Sequence, residues 1–283
     1  MDNNSSRNNT IAKNTFLLYL RSLFGLAVSL YTSRIVLNSL GIDDYGIYNV
    51  VGGMVAMFSL LSNSLSTAIS RYLTFELGKE NIDKLRTIFS SSVVIQTGLA
   101  LFILLLVEIF GICFLNLYIN IPAGRLEAAH WALQCSAITF AVGLISIPYN
   151  ATIIAHEKMV FFAYISILEQ VLKLIVAYLL YISPFDKLKI YAFLLVIVSI
   201  LIRAIYGMYC KRQFEECNGK IIIDKSFIRQ MVDFAGWNFL GAGSGVLMTQ
   251  GVNILMNLFF TVAVNAARGV ATQIEGVVMS FVN

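Results

Sequence analysis

The sequence predicts an all-α integral membrane protein, a polytopic bundle of about eight transmembrane helices. Hydrophobic residues make up 58% of the chain and charged residues only 13%, about half the charged share of a soluble domain. The apolar residues also fall into runs of roughly 20 residues or more, the length that a helix needs to cross a hydrocarbon core of about 30 Å. The predicted spans are Phe16–Leu37, Gly46–Ser70, Phe89–Leu115, Ala129–Ala155, Met159–Ile182, Ile190–Cys210, Met231–Leu258 and Val262–Val282.

A weak internal repeat divides these spans into two groups. Shifting the chain by 223 positions places Trp237–Asn283 on Asn14–Leu60, so that an apolar helix, a turn and a second apolar helix recur. Parallel repeats of this kind build two-lobed transporters. The predicted organisation is a cytoplasmic tail (1–12), an N-lobe of six transmembrane helices (13–210), a cytoplasmic inter-lobe linker (211–230) and the first two helices of a C-lobe (231–283). Because the second copy stops after one hairpin, we expect a longer protein of roughly twelve to fourteen helices.

The basic residues of the connections predict the orientation. With the N-terminus in the cytoplasm, the inner side carries Arg7, Lys13, Arg71, Lys79, Lys84, Arg86, Lys158, Lys211, Arg212, Lys220, Lys225 and Arg229. The outer side then carries only Arg125, Lys187, Lys189 and Arg268. Cytoplasmic loops of membrane proteins are enriched in Lys and Arg, so the sequence predicts a cytoplasmic N-terminus. The inner basic loops would lie against anionic membrane lipids.

Polar and small side chains recur at helical spacing on the first hairpin of each repeat. They are Arg21, Gly25, Ser29 and Thr32 on the first span, Ser59, Asn63, Ser66 and Ser70 on the second, Gln250, Asn253 and Asn257 on the seventh, and Arg268, Thr272 and Glu275 on the eighth. In a bilayer such faces turn toward protein or water. We therefore predict that these four spans line a substrate path between the lobes. The alternative is that the small and hydroxyl residues only join neighbouring helices.

Arg21 is the strongest candidate for substrate binding. It follows the start of its span at Phe16 by five residues, which places it about 8 Å below the membrane edge. An arginine at this depth can hold an anion with two hydrogen bonds, and the alternative is that it reaches back to the lipid headgroups. Arg34 lies 13 residues further on, roughly 140° around the helix axis, so both face one cavity only if the helix bends.

Three further features lie within the predicted N-lobe spans. Glu169 and Lys173 stand at i and i+4, the order that lets the two side chains meet. They are a self-neutralising structural pair or, alternatively, a coupling site for protons or ions. Arg203 lies about two turns from the inner end of its span, where arginines commonly reach the headgroups. Pro148 is expected to kink the fourth predicted span.

Common catalytic and nucleotide-binding motifs are absent from the sequence. It contains no HExxH motif, no Walker lysine motif, no nucleophile elbow and no cluster of carboxylates and histidines. We therefore predict that the protein is not an enzyme and uses neither a cofactor nor a metal. The net charge of +4 is explained by topology and not by nucleic-acid binding.

Two stretches of the sequence resemble a known family. The first is LNSLGIDDYGIYNVVGGMVAMFSLLSNSLSTAISRYLTFELGK, and the second is WNFLGAGSGVLMTQGVNILMNLFFTVAVNAARGVATQIEGVVMSFVN. Both are similar to the lipopolysaccharide and O-antigen flippases of the polysaccharide-transporter family, within the multidrug/oligosaccharidyl-lipid/polysaccharide exporter superfamily. The resemblance implies a two-lobed transporter of the bacterial inner membrane that turns an undecaprenyl-pyrophosphate-linked oligosaccharide to the periplasmic leaflet.

These observations together predict a flippase that works by alternating access. The expected substrate-binding residues are Arg21, Arg34, Arg268, Ser59, Asn63, Gln250, Asn253 and Asn257, and the expected coupling residues are Glu275, Glu169 and Lys173. The expected partners are the lipid-linked oligosaccharide, membrane lipid and other glycan-assembly proteins. The alternatives are a cation-coupled multidrug exporter of the same superfamily, a non-transporting component of the glycan assembly machinery, and a membrane glycosyltransferase or ligase. The last of these would need a sizeable outer loop, and every predicted outer loop is short.

Overall fold

The computed structural model describes residues 2–56, 58–117, 121, 123–218, 222, 224–234, 236–237 and 271. Its α-helices are α1 (Asp2–Ala56), α2 (Ser59–Gly78), α3 (Ile82–Leu106), α4 (Ile112–Leu117), α5 (Leu126–Ala155), α6 (Met159–Ile182) and α7 (Lys187–Gln213). Residues 225–234 are also helical, and the described residues include no strand. Five helical stretches are long and apolar enough to cross a membrane, namely Arg21–Ala56, Ile82–Gly111, Leu126–Ala155, Met159–Ile182 and Lys187–Gln213. The predicted all-α, polytopic membrane bundle is confirmed.

The chain reverses direction at Gly41, inside α1. This residue has φ 81° and ψ 172°, a backbone conformation that essentially only glycine adopts. Before Gly41, α1 follows α6, with Gly25 beside Gln170 and the Tyr31 hydroxyl 2.8 Å from that of Tyr178. After Gly41 it follows α7 back, with the Tyr48 ring in an edge contact with Tyr191 at 4.9 Å. The predicted turn between the first two spans is therefore present, and Gly41 makes it.

The second predicted span is not one continuous helix, so the prediction is wrong on this point. The segment Gly46–Ser70 is broken where α1 ends at Ala56 and α2 begins at Ser59. At the break, the Phe58 backbone N–H donates to the Val55 carbonyl oxygen over 3.2 Å, three residues back instead of the four of an α-helix. Gly52 and Gly53 precede the break, and glycine weakens a helix by about 1 kcal/mol relative to alanine.

Helix α5 is the centre of the described bundle. It packs against α1, α2, α3, α6 and α7. Its buried residues include many alanines: Ala128, Ala129, Ala132, Ala137, Ala141, Ala151 and Ala155. Small side chains let helix backbones approach closely, which suits a helix with neighbours on most sides. Pro148 lies buried within this helix, and the kink expected there stays a prediction.

Three charged residues join the connections at one end of the bundle, and we call them the Asp44 cluster. Arg125 donates from two nitrogens to the Asp44 carboxylate, with Nε–Oδ1 at 2.7 Å, and from Nη1 to Asp186 Oδ2 at 2.8 Å. Asp186 also caps α7 through Oδ1, which accepts from the backbone N–H of Leu188 and of Lys189. The hydrogen bond to Asp44 raises the pKa of Arg125. The cluster therefore ties the Gly41 turn to the starts of α5 and α7.

The opposite end carries a second set of contacts, which hold the chain that follows α7. His156 Nε2 lies 2.6 Å from Glu216 Oε1, and the His156 ring stacks on Phe214 at 4.2 Å. Further along, Ser90 Oγ accepts from Ile222 N–H at 2.9 Å, and Ser91 Oγ accepts from Asp224 N–H at 3.2 Å. The described residues between 214 and 224 (214–218, 222 and 224), part of the predicted inter-lobe linker, are thus docked on α3 and α5. We call this end the Glu216 end.

Replacing Glu216 by glutamine is expected to loosen this docking. Glu216 is only 6% exposed, so loss of its charge weakens a buried charge-assisted hydrogen bond, typically worth about 1.5–3 kcal/mol. Cleavage by trypsin after Lys220 and Lys225, which fall within and directly after this part of the sequence, should therefore accelerate by roughly tenfold at pH 7.5. The matched control is Glu215→Gln, because Glu215 is largely exposed and lies 3.7 Å from Arg86. Equal cleavage of the two variants would contradict the prediction.

The same contact predicts a pH dependence. Burial acts to raise the pKa of Glu216, but the hydrogen bond to His156 and the charges of His156 and Arg86 outweigh burial, so its pKa lies below the ordinary 4.5. A carboxyl group with a lowered pKa stabilises the folded state above its unfolded pKa and loses that contribution as the pH falls through the folded value. The docked segment should therefore stay protected at pH 5 and become cleavable by pepsin as the pH falls below 4.5.

Candidate functional site

Residues of α1, α6 and α7 converge on Arg21, and we call this group the Arg21 site. The guanidinium carbon of Arg21 lies 5.0 Å from the centre of the Phe162 ring. Lys173 Nζ donates to Glu169 Oε1 over 2.6 Å on the same helix as Phe162. Tyr206 lies buried on α7, and α7 packs against both α1 and α6. The structure thus brings one predicted substrate-binding residue and two predicted coupling residues into a single neighbourhood.

The sequence explains why these side chains meet. On α6, Phe162, Ser166, Glu169 and Lys173 recur at steps of four, three and four, so they share one face of the helix. On α1, Gly25 lies one turn beyond Arg21, and the position of a Cβ there would be 4.0 Å from Gln170 Cγ. A small residue at this position lets α1 approach α6 closely. Arg21 is thereby held beside the charged face of α6.

The charges of the site do not cancel. Glu169 and Lys173 neutralise each other, as their spacing predicted, and their side chains are about one third exposed. Among the described residues no carboxylate pairs with Arg21. The guanidinium has five N–H donors and is oriented by an aromatic face, so it can bind a planar or tetrahedral anion through two hydrogen bonds. The Arg21 site therefore favours an anionic ligand.

The predicted polar stripe on α1 is only partly directed toward this site. Thr32 is buried, and its Oγ1 has no hydrogen-bond partner in the described structure, whereas Ser29 is exposed. Ser39, two turns beyond Thr32 on the same face, is likewise buried with an unpartnered Oγ. Buried hydroxyl groups of this kind cost free energy unless water or a ligand satisfies them. The polar face of α1 therefore extends past Thr32 to Ser39, which the sequence pattern did not include.

Arg34 does not belong to the Arg21 site. It is exposed on a side of α1 that turns away from the buried face of Thr32 and Ser39, as the angle of roughly 140° to Arg21 predicted. Ser59 is partly buried at the break between α1 and α2, and it shares no hydrogen bond with the described residues of the Arg21 site. The side chain of Asn63 lies outside the described residues. So do the remaining predicted site residues: Gln250, Asn253, Asn257, Arg268 and Glu275.

Sequence reasoning missed Phe162, Gln170 and Tyr206, which complete the site. The helical spacing on α6 was a usable signal for Phe162, since it lies two turns before the predicted pair on the same face. Nothing in the sequence pointed to Tyr206, because its burial depends on how α7 packs against α1 and α6. The Asp44 cluster was missed for the same reason, although its members lie in three connections that were all predicted on the outer side.

A second depression, between α1, α5 and α7, is apolar. It encloses about 200 Å³, and Tyr48, Gly52, Phe140 and Leu195 are among its lining residues. The residues that line it include no charged side chain, so it offers nothing to hold an anion. This depression lies close to the Asp44 cluster, because its lining residue Tyr48 follows Asp44 by one turn of α1. The Arg21 site lies farther from that cluster.

The fold and the site define a class of protein. A bundle of helices long and apolar enough to span a membrane, with an arginine that no carboxylate among the described residues pairs with, is common in proteins that move polar or charged molecules across a bilayer. A comparison with protein families matches residues 20–179 to the family described as MatE, which is more than half of the 283 residues. The chain belongs to the MatE family, whose members are membrane transporters of the multidrug/oligosaccharidyl-lipid/polysaccharide exporter superfamily and not enzymes. Comparisons with curated proteins and with solved structures returned no match.

Proposed function

We propose that the protein exports an anionic, lipid-linked oligosaccharide across the bacterial inner membrane, from the cytoplasmic to the periplasmic leaflet. The observation that carries the proposal is the uncompensated charge of Arg21 at the α1–α6–α7 contact. A pyrophosphate-linked lipid is an anion whose prenyl chain remains in the bilayer. Its diphosphate is therefore the part that an arginine at membrane depth can recognise. The N-terminus and the Glu216 end lie in the cytoplasm in this proposal.

The two helices of the first hairpin suit a site that opens to alternate sides. Arg21 lies toward the Glu216 end of α1, and the chain reverses at Gly41 near the opposite end. An anion bound at Arg21 from the cytoplasm would be released on the other side once the surrounding helices rock. Glu169 is the proposed coupling residue, because its carboxylate is held 2.6 Å from Lys173 Nζ on the same face of α6 as Phe162, which contacts Arg21.

A gene deletion separates this proposal from a multidrug exporter. The deletion strain should lose its surface polysaccharide and accumulate the lipid-linked oligosaccharide in the cytoplasmic leaflet, while its susceptibility to cationic drugs stays unchanged. Both measurements should return to normal when the intact gene is supplied on a plasmid. Normal surface polysaccharide together with increased drug susceptibility would instead support the multidrug exporter, which needs an acidic site for its cationic substrates.

A further inference from the structure

A second arginine within the membrane-spanning helices is held in a setting that the export proposal does not use. Arg203 lies on α7, with its guanidinium carbon 3.8 Å from the centre of the Tyr149 ring. Its Nη1 lies 2.8 Å from the position that a Cβ on Gly207 would occupy. The guanidinium is therefore stacked on an aromatic face and rests against a residue that has no side chain. A side chain at residue 207 would require the guanidinium to move.

The aromatic wall is itself firmly placed. Tyr149 is 8% exposed, and the Phe89 ring meets it edge-on at 5.1 Å. The Tyr149 carbonyl oxygen accepts from the buried Cys210 Sγ over 3.6 Å, which ties α5 to α7 one turn beyond Gly207. Arg203 thus binds to a wall formed by three helices, α3, α5 and α7, and not to a mobile surface side chain.

The hydrogen-bonding capacity of Arg203 is unused. Its Nε is buried without a hydrogen-bond partner, and no carboxylate in the described part of the chain pairs with it. A guanidinium carries five N–H donors, and leaving them unsatisfied inside a membrane is costly. Since Arg203 is only partly buried, a ligand can reach it from outside the bundle. That ligand must be an acceptor, and an anion is favoured.

The surface beside Arg203 indicates what kind of anion fits. The α7 surface on the side of Arg203 is apolar: Ile200 and Phe193 lie within about 80° of Arg203 around the helix axis, and both side chains are 50% exposed. Arg203 precedes the end of α7 at Gln213 by ten residues, or about 15 Å, and its side chain leans one turn toward that end. This places the guanidinium roughly 9 Å from the helix end, close to the depth of lipid phosphates. A lipid fits both features, because its phosphate can bind the Arg203 guanidinium while its hydrocarbon chain lies on the apolar surface of α7.

We propose that Arg203, Tyr149 and Gly207 form a lipid-phosphate site at the Glu216 end of the bundle, separate from the Arg21 site. The phosphate comes from a bulk phospholipid or from a prenyl diphosphate, because both present the same anion beside a hydrocarbon chain. Arginine binds such groups bidentately, and the Tyr149 ring orients the guanidinium for it. The site does not rest on the proposed export function.

The test measures lipid binding to the intact purified protein by native mass spectrometry in a mild detergent. One arm titrates dioleoyl phosphatidylglycerol and the other titrates farnesyl diphosphate. Arg203→Gln should weaken the tightest binding event by roughly tenfold or more, the usual effect of losing hydrogen bonds to a charged group. Gly207→Ala should also weaken it while keeping the arginine, because the new Cβ displaces the guanidinium from its place.

The control and the outcomes are set by neighbouring residues. Arg212→Gln removes an exposed positive charge from the same helix end and should leave binding within about twofold of the unchanged protein. Weakening confined to phosphatidylglycerol identifies a bulk lipid as the ligand, and weakening confined to farnesyl diphosphate identifies a prenyl diphosphate. If both Arg203→Gln and Gly207→Ala bind both lipids as tightly as the unchanged protein, the site is overturned. Should Arg203→Gln fail to fold, Gly207→Ala decides the question alone.

Discussion

Replacing Arg21 by alanine is expected to abolish export while the protein remains in the membrane. The guanidinium is the one charge of the Arg21 site that no described residue neutralises, and a charge-assisted hydrogen bond is worth about 1.5–3 kcal/mol. Losing two such bonds to a diphosphate lowers the affinity by roughly a hundredfold or more. Surface polysaccharide, measured in a deletion strain that expresses the variant, should fall to the level of the deletion alone. Membrane abundance should be unchanged, since losing the contact between Arg21 and the Phe162 ring costs only about 0.5–1 kcal/mol at a partly exposed site.

The controls for Arg21 separate charge from geometry. Arg21→Lys keeps the charge but loses the planar fork, so export should be reduced and not abolished. Arg71→Ala removes an exposed arginine of α2 and should leave export intact. Normal surface polysaccharide in the Arg21→Ala strain would refute the assignment of this residue.

Replacing Asp44 by asparagine is expected to destabilise the bundle by about 2 kcal/mol. Asp44 is 7% exposed and holds Arg125 through two hydrogen bonds, and removing one partner of a buried ion pair leaves the other charge uncompensated. The partial exposure of Arg125 and its second partner, Asp186, keep the cost below the 3–5 kcal/mol of a fully buried pair. The unfolding temperature in detergent should fall by about 5 °C.

A neighbouring ion pair supplies the control for Asp44. Lys189 Nζ lies 2.5 Å from Glu127 Oε1 at the same end of the bundle, but the Glu127 side chain is 88% exposed. Exposed pairs contribute about 0–1 kcal/mol, so Glu127→Gln should leave the unfolding temperature nearly unchanged. If Asp44→Asn and Glu127→Gln unfold at the same temperature, the Asp44 cluster has no special role in stability.

The sequence was informative wherever the physics is local. Apolar runs predicted the helices because a membrane span must satisfy its own backbone hydrogen bonds. The spacing of Glu169 and Lys173 predicted their contact because residues four apart share a helix face. The break between Ala56 and Ser59 was missed because the surrounding residues are apolar, and hydropathy does not register where a helix stops within an apolar run.

Contacts between helices lay beyond what the sequence pattern contains. Nothing in the spacing of Arg21 indicates its contact with Phe162, since the two residues meet only after α1 and α6 pack together. Arg203 shows the same limitation. The position of Arg203 near the helix end predicted a side chain that reaches toward the headgroups. The structure adds that its guanidinium stacks on the Tyr149 ring and lies against Gly207.

The contacts that follow α7 have a mechanical consequence. Glu216 is held by His156 at the end of α5, and Ile222 and Asp224 are held by Ser90 and Ser91 of α3. The helix at residues 225–234 begins directly after the last of these points. A displacement of that helix therefore pulls on α3 through two hydrogen bonds, and residue 224 acts as an anchor between the two helices.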